Sequence, residues 1–259
     1  MRTVLATRYV TPLREGGSLP GLVEADDDGL YVLKFRGAGQ GPRALIAELV
    51  AGEIGRALGL PVPEIVFIDL DPALGRNEPD FEVRDLLMAS PGLNLGLDYL
   101  PGSLPYTVAA PFPIDEELAS AIVWFDAYVT NIDRTPRNTN MLVWNHRLWL
   151  IDHGASLYFH HTWADYLSRA RTPFKQIAEH ALLPLARQLR AVDARLRDAL
   201  TRETLESIVA LIPEAWLGDE PQFASPDGHR AAYVDYLLTR RDASSVFVEE
   251  AEHARTQLV

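Results

Sequence analysis

The chain has 259 residues, 47% of them hydrophobic and 23% charged, with a formal net charge of −12 and no cysteine. Its length fits one large domain or two lobes that share a cleft, and its composition argues against extended disorder. The lack of cysteine excludes disulfides, zinc–thiolate sites and cysteine nucleophiles. The acidic charge argues against tight binding to a nucleic-acid backbone, but a local cluster of cations can still bind a nucleotide.

The N-terminal residues show no targeting signal. Arg8 stands where a signal peptide would stay apolar, and no run of about 18 apolar residues predicts a membrane span. We therefore expect a mature, cytoplasmic protein.

The first third of the chain predicts strands and one helix. Apolar residues spaced for one helix face, followed by Gly59, predict a helix over 43–58. This helix carries two acids, Glu48 and Glu53. Runs rich in β-branched and aromatic residues predict strands over 19–25, 30–36 and 64–70.

The composition changes after residue 90. Residues 90–105 are rich in Gly, Pro and Leu, which is typical of a connector between lobes. The sequence predicts mostly helices for the rest of the chain. It also predicts two short strands between the first and the second of these helices. The predicted helices cover 114–129, 174–189, 194–211, 230–238 and 243–256, and the strands cover 141–144 and 148–151.

The most informative stretch lies around these two strands. Asp133 is followed five residues later by Asn138, and past the predicted hairpin come Asp152 and Gly154. Enzymes that transfer a phosphoryl group need an aligned nucleophile and neutralised phosphate charge. Asp133 is our candidate to orient a hydroxyl and accept its proton.

Asn138 and Asp152 offer the oxygen ligands that Mg²⁺ prefers. We expect the hairpin to bring Asp152 beside Asn138, and Gly154 to let the backbone turn away beneath the metal. The plainer interpretation is a helix end, a turn residue and a surface acid. The combination of the Asp133/Asn138 pair, the two strands and Asp152-x-Gly154 favours the interpretation as a phosphoryl-transfer site.

These residues resemble a known family. Asp133-Arg134-x-x-x-Asn138 is similar to the catalytic loop of HipA-like kinases and of phosphoinositide 3- and 4-kinases, and Asp152-His153-Gly154 resembles their metal-binding segment. The stretch 131–140, with similar segments at 16–18, 31–35 and 58–64, looks most like the smaller, HipA-related bacterial kinase-like family. The resemblance covers about residues 10–160.

The resemblance implies a two-lobed, protein-kinase-like α+β fold, with a small antiparallel β lobe that carries one helix and a larger helical lobe. It places the nucleotide-binding lobe at 1–95, the hinge at 96–101 and the catalytic lobe at 102–259. It also implies a phosphotransferase that uses ATP and Mg²⁺, with a protein Ser/Thr hydroxyl as acceptor.

The resemblance also assigns residue roles. Asp133 and Lys34 would be catalytic, with Lys34 on the nucleotide phosphates, and Asn138 and Asp152 would bind the metal. The nucleotide would further contact residues from three segments, namely Gly16, Gly17, Ser18, Glu48, Leu97, Tyr99 and Leu100. Glu48 would pair with Lys34, and Glu53 is the alternative acid on the same helix.

Several alternatives stay open. The same residues would serve a small-molecule or lipid kinase, although the acidic surface disfavours an anionic membrane. Thr135 stands where many relatives have histidine, so a nucleotide-binding pseudokinase or scaffold is a second alternative, and a helical interaction domain is a third. Arg134 can pair with an acid or with phosphate. His153 fits no zinc spacing, and we expect it to be packed or hydrogen-bonded.

Overall fold

The computed structural model describes residues 1–13, 19–39, 41–76, 78–109, 112–218 and 220–258. Within these ranges the chain forms mainly strands before Asp98 and mainly helices after Glu116. None of the helices in the described ranges is both long and apolar enough to cross a bilayer.

The N-terminal strands close into a barrel in the order β1-β2-β3-β5-β4. They are β1 (Thr3–Pro12), β2 (Gly21–Ala25), β3 (Leu30–Lys34), β4 (Ile65–Leu70) and β5 (Gly92–Asp98). The expected antiparallel sheet is wrong at one pair, because β1 runs parallel to β4, with Thr3 opposite Phe67. This pairing joins the two strands that would otherwise be open edges, so their backbone groups are satisfied.

Two α-helices accompany the barrel where one was predicted. The predicted one is α1 (Pro42–Ala57), and the additional one is α2 (Phe81–Ala89). The Asp80 carboxylate accepts a hydrogen bond from the Glu82 N–H at the start of α2, and the helix buries Val83 and Leu87. A capping aspartate before an i, i+4 apolar pair is a helix signal that the sequence interpretation did not use.

The rest of the chain is mostly helical around one small sheet. The helices are α3 (Glu116–Val129), α4 (Tyr166–Arg169), α5 (Leu189–Ala199), α6 (Arg202–Val209), α7 (Glu214–Leu217), α8 (Pro226–Asp242) and α9 (Ser244–Thr256). The sheet contains β6 (Leu104–Pro105) and the predicted hairpin, β7 (Met141–Trp144) and β8 (Arg147–Leu150).

Two predicted helices are wrong in detail. Residues 174–189 form 3₁₀ turns over Lys175–Glu179 and Leu183–Leu185 instead of one α-helix, since Pro184 has no N–H to continue a helix. Residues 194–211 form two helices, because the Thr201 side chain accepts a hydrogen bond from Thr204 N at 3.1 Å and begins α6 there.

The connection between barrel and helices begins at Tyr99. Strand β5 runs through Asp98, so residues 96–98 of the predicted hinge lie in a strand. The Tyr99 N–H donates to Leu30 O at 2.9 Å, which holds the start of the connection against β3. The division into lobes at 95 and 101 stays a prediction.

Candidate active site

Lys34, the last residue of β3, contacts two carboxylates from distant parts of the chain. Its Nζ lies 2.6 Å from Asp152 Oδ1 and 3.5 Å from Glu48 Oε2. Burial lowers the pKa of this amine, but the charges of Glu48 and Asp152 outweigh burial and raise the pKa above its ordinary value. Lys34 is therefore a permanent cation suited to phosphate.

Glu48 lies in α1 and is only 1% exposed. Helix α1 packs so closely on β4 that a Cβ at Gly52 would overlap Ile65 Cδ1 and force that side chain to shift. Burial raises the pKa of Glu48, but the positive charge of Lys34 and the hydrogen bonds of His153 outweigh it and lower the pKa. The alternative acid, Glu53, pairs with Arg56 at 3.3 Å instead.

Asp133 lies in a tight loop after α3 and is held by two amides. Its Oδ2 accepts hydrogen bonds from Asn138 Nδ2 at 2.8 Å and Asn140 Nδ2 at 3.0 Å. Its backbone N–H donates to Asn131 Oδ1 at 3.1 Å. Its Oδ1 has no hydrogen-bond partner among the described residues, so this oxygen is available to an incoming group.

Arg134 is part of the support of this loop and does not reach toward the phosphate site. It is 1% exposed, and its Nε donates to the fully buried Asp126 at 2.6 Å. Asp126 also lies 2.8 Å from His180 Nε2 and accepts from Asn131 Nδ2 at 2.8 Å. The sequence left acid and phosphate open as partners of Arg134, and the structure pairs it with the acid.

The segment after β8 places Asp152 opposite Lys34. Ile151 N donates to Asn140 O at 3.0 Å, which ties this segment to the loop of Asp133. The expectation for Gly154 is wrong, because the left-handed backbone is at Asp152, with φ of 56°, and not at the glycine. A Cβ at Gly154 would make ordinary van der Waals contacts with Ala44 O and Glu48 Oε2 at 3.6 Å, so packing does not require a glycine there either.

Two cavities meet at these residues. The larger, about 710 Å³, is lined by Lys34, Asp133, Asn138 and Asp152 and also by apolar side chains such as Leu97. Tyr99 and Leu100 line it as well. The smaller, about 250 Å³, lies beside Glu48 and Gly154 and shares Lys34, Asp133 and Asp152 with the larger one. The predicted hinge residues and the predicted catalytic residues thus line one cavity.

The donor set suits a hard cation such as Mg²⁺. Asn138 uses its amide nitrogen on Asp133, which leaves its carbonyl oxygen free to bind a metal. Asp152 is 40% exposed and uses Oδ1 on Lys34. Magnesium keeps several waters and binds through one or two carboxylates beside substrate phosphates, so the oxygens of Asn138 and Asp152 have the chemistry that such a site would need.

Three predicted residues cannot be placed, since Gly16, Gly17 and Ser18 lie outside the described residues. The sequence interpretation missed Asp126, Asn140 and His180. The signal for Asp126 was a lone carboxylate in the apolar helix Ile122 to Val129, where an acid needs a buried partner.

The fold is that of protein kinases. A kinase of Helicobacter pylori, the proinflammatory kinase CtkA, is similar over 97% of both chains with a TM-score of 0.56 and 13% identity. The Golgi casein kinase, in a structure with Mn and ADP bound, is similar over 100% of this chain and 76% of its own, with a TM-score of 0.52 and 14% identity.

The family follows from the sequence itself. The family model described as HipA-like kinase matches residues 7–249, nearly the whole chain. The chain therefore belongs to the HipA-like kinase family, which confirms the resemblance drawn from its central motif. None of the curated protein sequences matches it.

Proposed function

We propose that this protein is an ATP- and magnesium-dependent phosphotransferase that transfers the γ-phosphate to a Ser or Thr hydroxyl of a protein. The observation that carries the proposal is the meeting of Lys34, Asp133 and Asp152, from three distant segments, around the same pair of cavities. Positioning and electrostatic stabilisation are what phosphoryl transfer requires of a protein.

Asp133 has the geometry to orient the acceptor hydroxyl. Asn138 and Asn140 hold one of its carboxylate oxygens, so the other oxygen keeps a constant direction. In our proposal the acceptor O–H donates to that oxygen. The proton passes to it as the new bond to the γ-phosphorus forms and the bond from that phosphorus to ADP breaks, so that ADP leaves. The buried Arg134–Asp126 pair keeps the loop from moving when the hydroxyl arrives.

Nucleotide binding follows from the larger cavity. Its apolar wall, which includes Val32, Leu97 and Ile151, suits an adenine ring, and Tyr99 and Leu100 supply the connection beside it. We propose residues 96–101 as the hinge between the lobes 1–95 and 102–259. Lys34 contacts the phosphates and Glu48 orients it. The Golgi casein kinase, which has this fold, was crystallised with Mn and ADP.

Asn138 and Asp152 would hold the metal. Magnesium, when bound there, would neutralise charge on the phosphate oxygens. A protein acceptor is supported by the structural neighbour whose name, casein kinase, refers to a protein substrate.

The test measures ATP turnover, and the mass of the intact protein reports autophosphorylation. Degenerate peptides whose acceptor residue is only Ser, only Thr or only Tyr show which hydroxyl receives the phosphate. We expect phosphate on the Ser and Thr peptides. Asp133→Asn should lower kcat by about 10²- to 10⁴-fold because the proton acceptor is lost, and Lys34→Met should weaken ATP binding. Asp235→Asn, on the exposed side of α8, and Lys175→Met, at the other lysine of the chain, are the matched controls.

The outcomes separate the alternatives. Stabilisation by ATP and magnesium without transfer to any acceptor would indicate a pseudokinase, the alternative suggested by Thr135. Transfer to a lipid or small alcohol but not to peptides would correct the acceptor. Turnover that survives both Asp133→Asn and Asp152→Asn would overturn the site.

A further inference from the structure

We propose that His153 is a positioning residue that holds Glu48 against Lys34, so that α1 and the segment after β8 keep the phosphate-binding geometry as one unit. The proposal rests on the proposed function, since it assigns His153 a role in presenting Lys34 to the nucleotide.

The two oxygens of Glu48 are divided between two partners. Oε1 accepts a hydrogen bond from the His153 backbone N–H at 3.0 Å and lies 3.3 Å from the ring Nδ1. Oε2 lies 3.5 Å from Lys34 Nζ. Because Lys34 also contacts Asp152, the neighbour of His153, the four residues form a closed ring of contacts.

Among the described residues, the polar contact of the His153 ring is the one with Glu48. The His153 side chain is 0% exposed and packs edge-on against Phe125, with ring centroids 5.7 Å apart. Its Nε2 is buried and has no hydrogen-bond partner among the described residues. The tautomer with a proton on Nδ1 therefore donates to Glu48, and Phe125 sets the plane of the ring.

The contacts of His153 connect helix α1 to the segment that carries Asp152. In kinases the lysine–glutamate pair and the metal-binding aspartate must both be in place. Here His153 adds a second link beside Lys34, because it follows Asp152 directly and bonds Glu48 through both its backbone N–H and its ring. His153 thereby couples helix α1 to the segment that carries Asp152 within the fold itself.

Three variants test the direction of the hydrogen bond. Asparagine at position 153 carries its side-chain N–H at the same distance from the backbone as histidine Nδ1. Glutamine carries its side-chain N–H at the distance of histidine Nε2. Leucine has no side-chain N–H. We expect His153→Leu and His153→Gln to raise the KM for ATP about tenfold, with a smaller change in kcat. A tenfold change corresponds to about 1.4 kcal/mol, the size expected for the loss of one hydrogen bond to a charged group. His153→Asn should stay within about threefold of wild type, because its side-chain N–H can still donate to Glu48.

A second readout needs no turnover. Lys34 and Lys175 are the two lysines of the chain, and Lys175 is exposed. Acetylation by a small amine-reactive ester, followed by peptide mass spectrometry, gives the rate at Lys34 relative to Lys175. Release of Glu48 should raise this ratio severalfold in His153→Leu and leave it near the wild-type value in His153→Asn. His160→Leu is the matched control, because His160 is equally buried and lies outside both cavities.

The two readouts separate this inference from the proposed function. An unchanged Lys34 ratio in folded His153→Leu overturns the positioning role, whatever the activity. Equal changes in His160→Leu also overturn it, since they would reflect general loosening. A raised ratio in a protein without kinase activity would support the positioning role and reject the proposed function.

Discussion

Asp126 is the buried residue on which the loop of Asp133 depends. Its carboxylate contacts Arg134, His180 and Asn131. A charge pair without solvent is costly to break, because the remaining partner stays buried and unpaired. The loop therefore has a rigid base directly behind the residue proposed to meet the acceptor.

This pair makes stability depend on pH in a defined direction. Burial raises the pKa of Asp126, but the charge of Arg134 and the hydrogen bond with His180 outweigh it, so that the pKa lies below its ordinary value. The folded state therefore binds the proton less tightly than the unfolded state. The stabilisation is complete above the unfolded pKa of about 4 and is lost as the pH falls below it.

Asp126→Asn should lower the free energy of unfolding by about 3–5 kcal/mol at pH 7. The difference from wild type should shrink as the pH falls below about 4, since the unfolded wild-type chain then takes up a proton at Asp126 that the folded state does not bind. Urea unfolding at pH 7, 5 and 3.5 measures this. Asp242→Asn, on the surface beside Arg241, serves as control. A difference that stays constant over the pH series would show that Asp126 does not carry the charge.

At the scale of single residues, chemistry explains which parts of the candidate site could be predicted from the sequence. The convergence of Asp133, Asn138 and Asp152 on one cavity could be expected from the sequence, because kinase-like enzymes carry their oxygen groups in that order. The partners of Asp133 and Arg134 could not be predicted. Asn140 and Asp126 reach them through turns and a helix face, and spacing along the chain does not reveal which of several polar neighbours points inward.

At the scale of elements, α7 links the helical part of the chain to the barrel. Trp216 is 2% exposed, packs edge-on against Phe67 of β4 and donates from Nε1 to Leu93 O of β5 at 3.3 Å. A few residues further on, Glu220 pairs with Arg43 at the start of α1. This short segment therefore contacts both the strand that leads into the predicted hinge and the helix that carries Glu48.

Trp216→Phe should loosen β5 selectively, because it keeps an aromatic ring but removes the N–H donor. We expect a loss of about 0.5–1.5 kcal/mol in local stability, seen as faster amide hydrogen exchange in residues 92–98. Trp149→Phe is the matched control, since its indole N–H makes a similar 3.4 Å bond to Trp144 O within the hairpin, away from β5. Equal exchange of residues 92–98 in both variants would contradict the link.

The elements show where the sequence was informative and where it was not. Helix α3 and the hairpin were predicted correctly, because α3 begins with acids at its positive end and the hairpin alternates about a turn. The parallel closure of β1 on β4 was not predicted. It joins residues about sixty positions apart, and nothing in a strand's own sequence names a distant partner.

At the scale of the whole molecule, the acidic charge extends into the candidate cleft. Glu48, Asp98, Asp133 and Asp152 line the two cavities, and Lys34 and Arg137 are the basic side chains there among the described residues. A polyphosphate that entered without a cation would meet more negative than positive charge. We therefore expect nucleotide affinity to depend more on divalent metal than on the protein's own cations.

Asp152→Asn tests this dependence most sharply, because it removes one repelling charge and one metal ligand together. Wild type should gain about 2.7 kcal/mol of stability from ATP and magnesium at a hundred times Kd, and little from ATP with EDTA. With ATP and magnesium, at the same concentrations, the variant should gain less stability than wild type. With EDTA present, the variant should bind ATP about tenfold more tightly than wild type, a difference of about 1.4 kcal/mol. Urea unfolding with ligand present measures the gain in stability and isothermal titration calorimetry measures the affinities, with Asp235→Asn as control. Equal wild-type affinity for ATP in EDTA and in magnesium would show that the carboxylates of the cleft do not govern nucleotide binding.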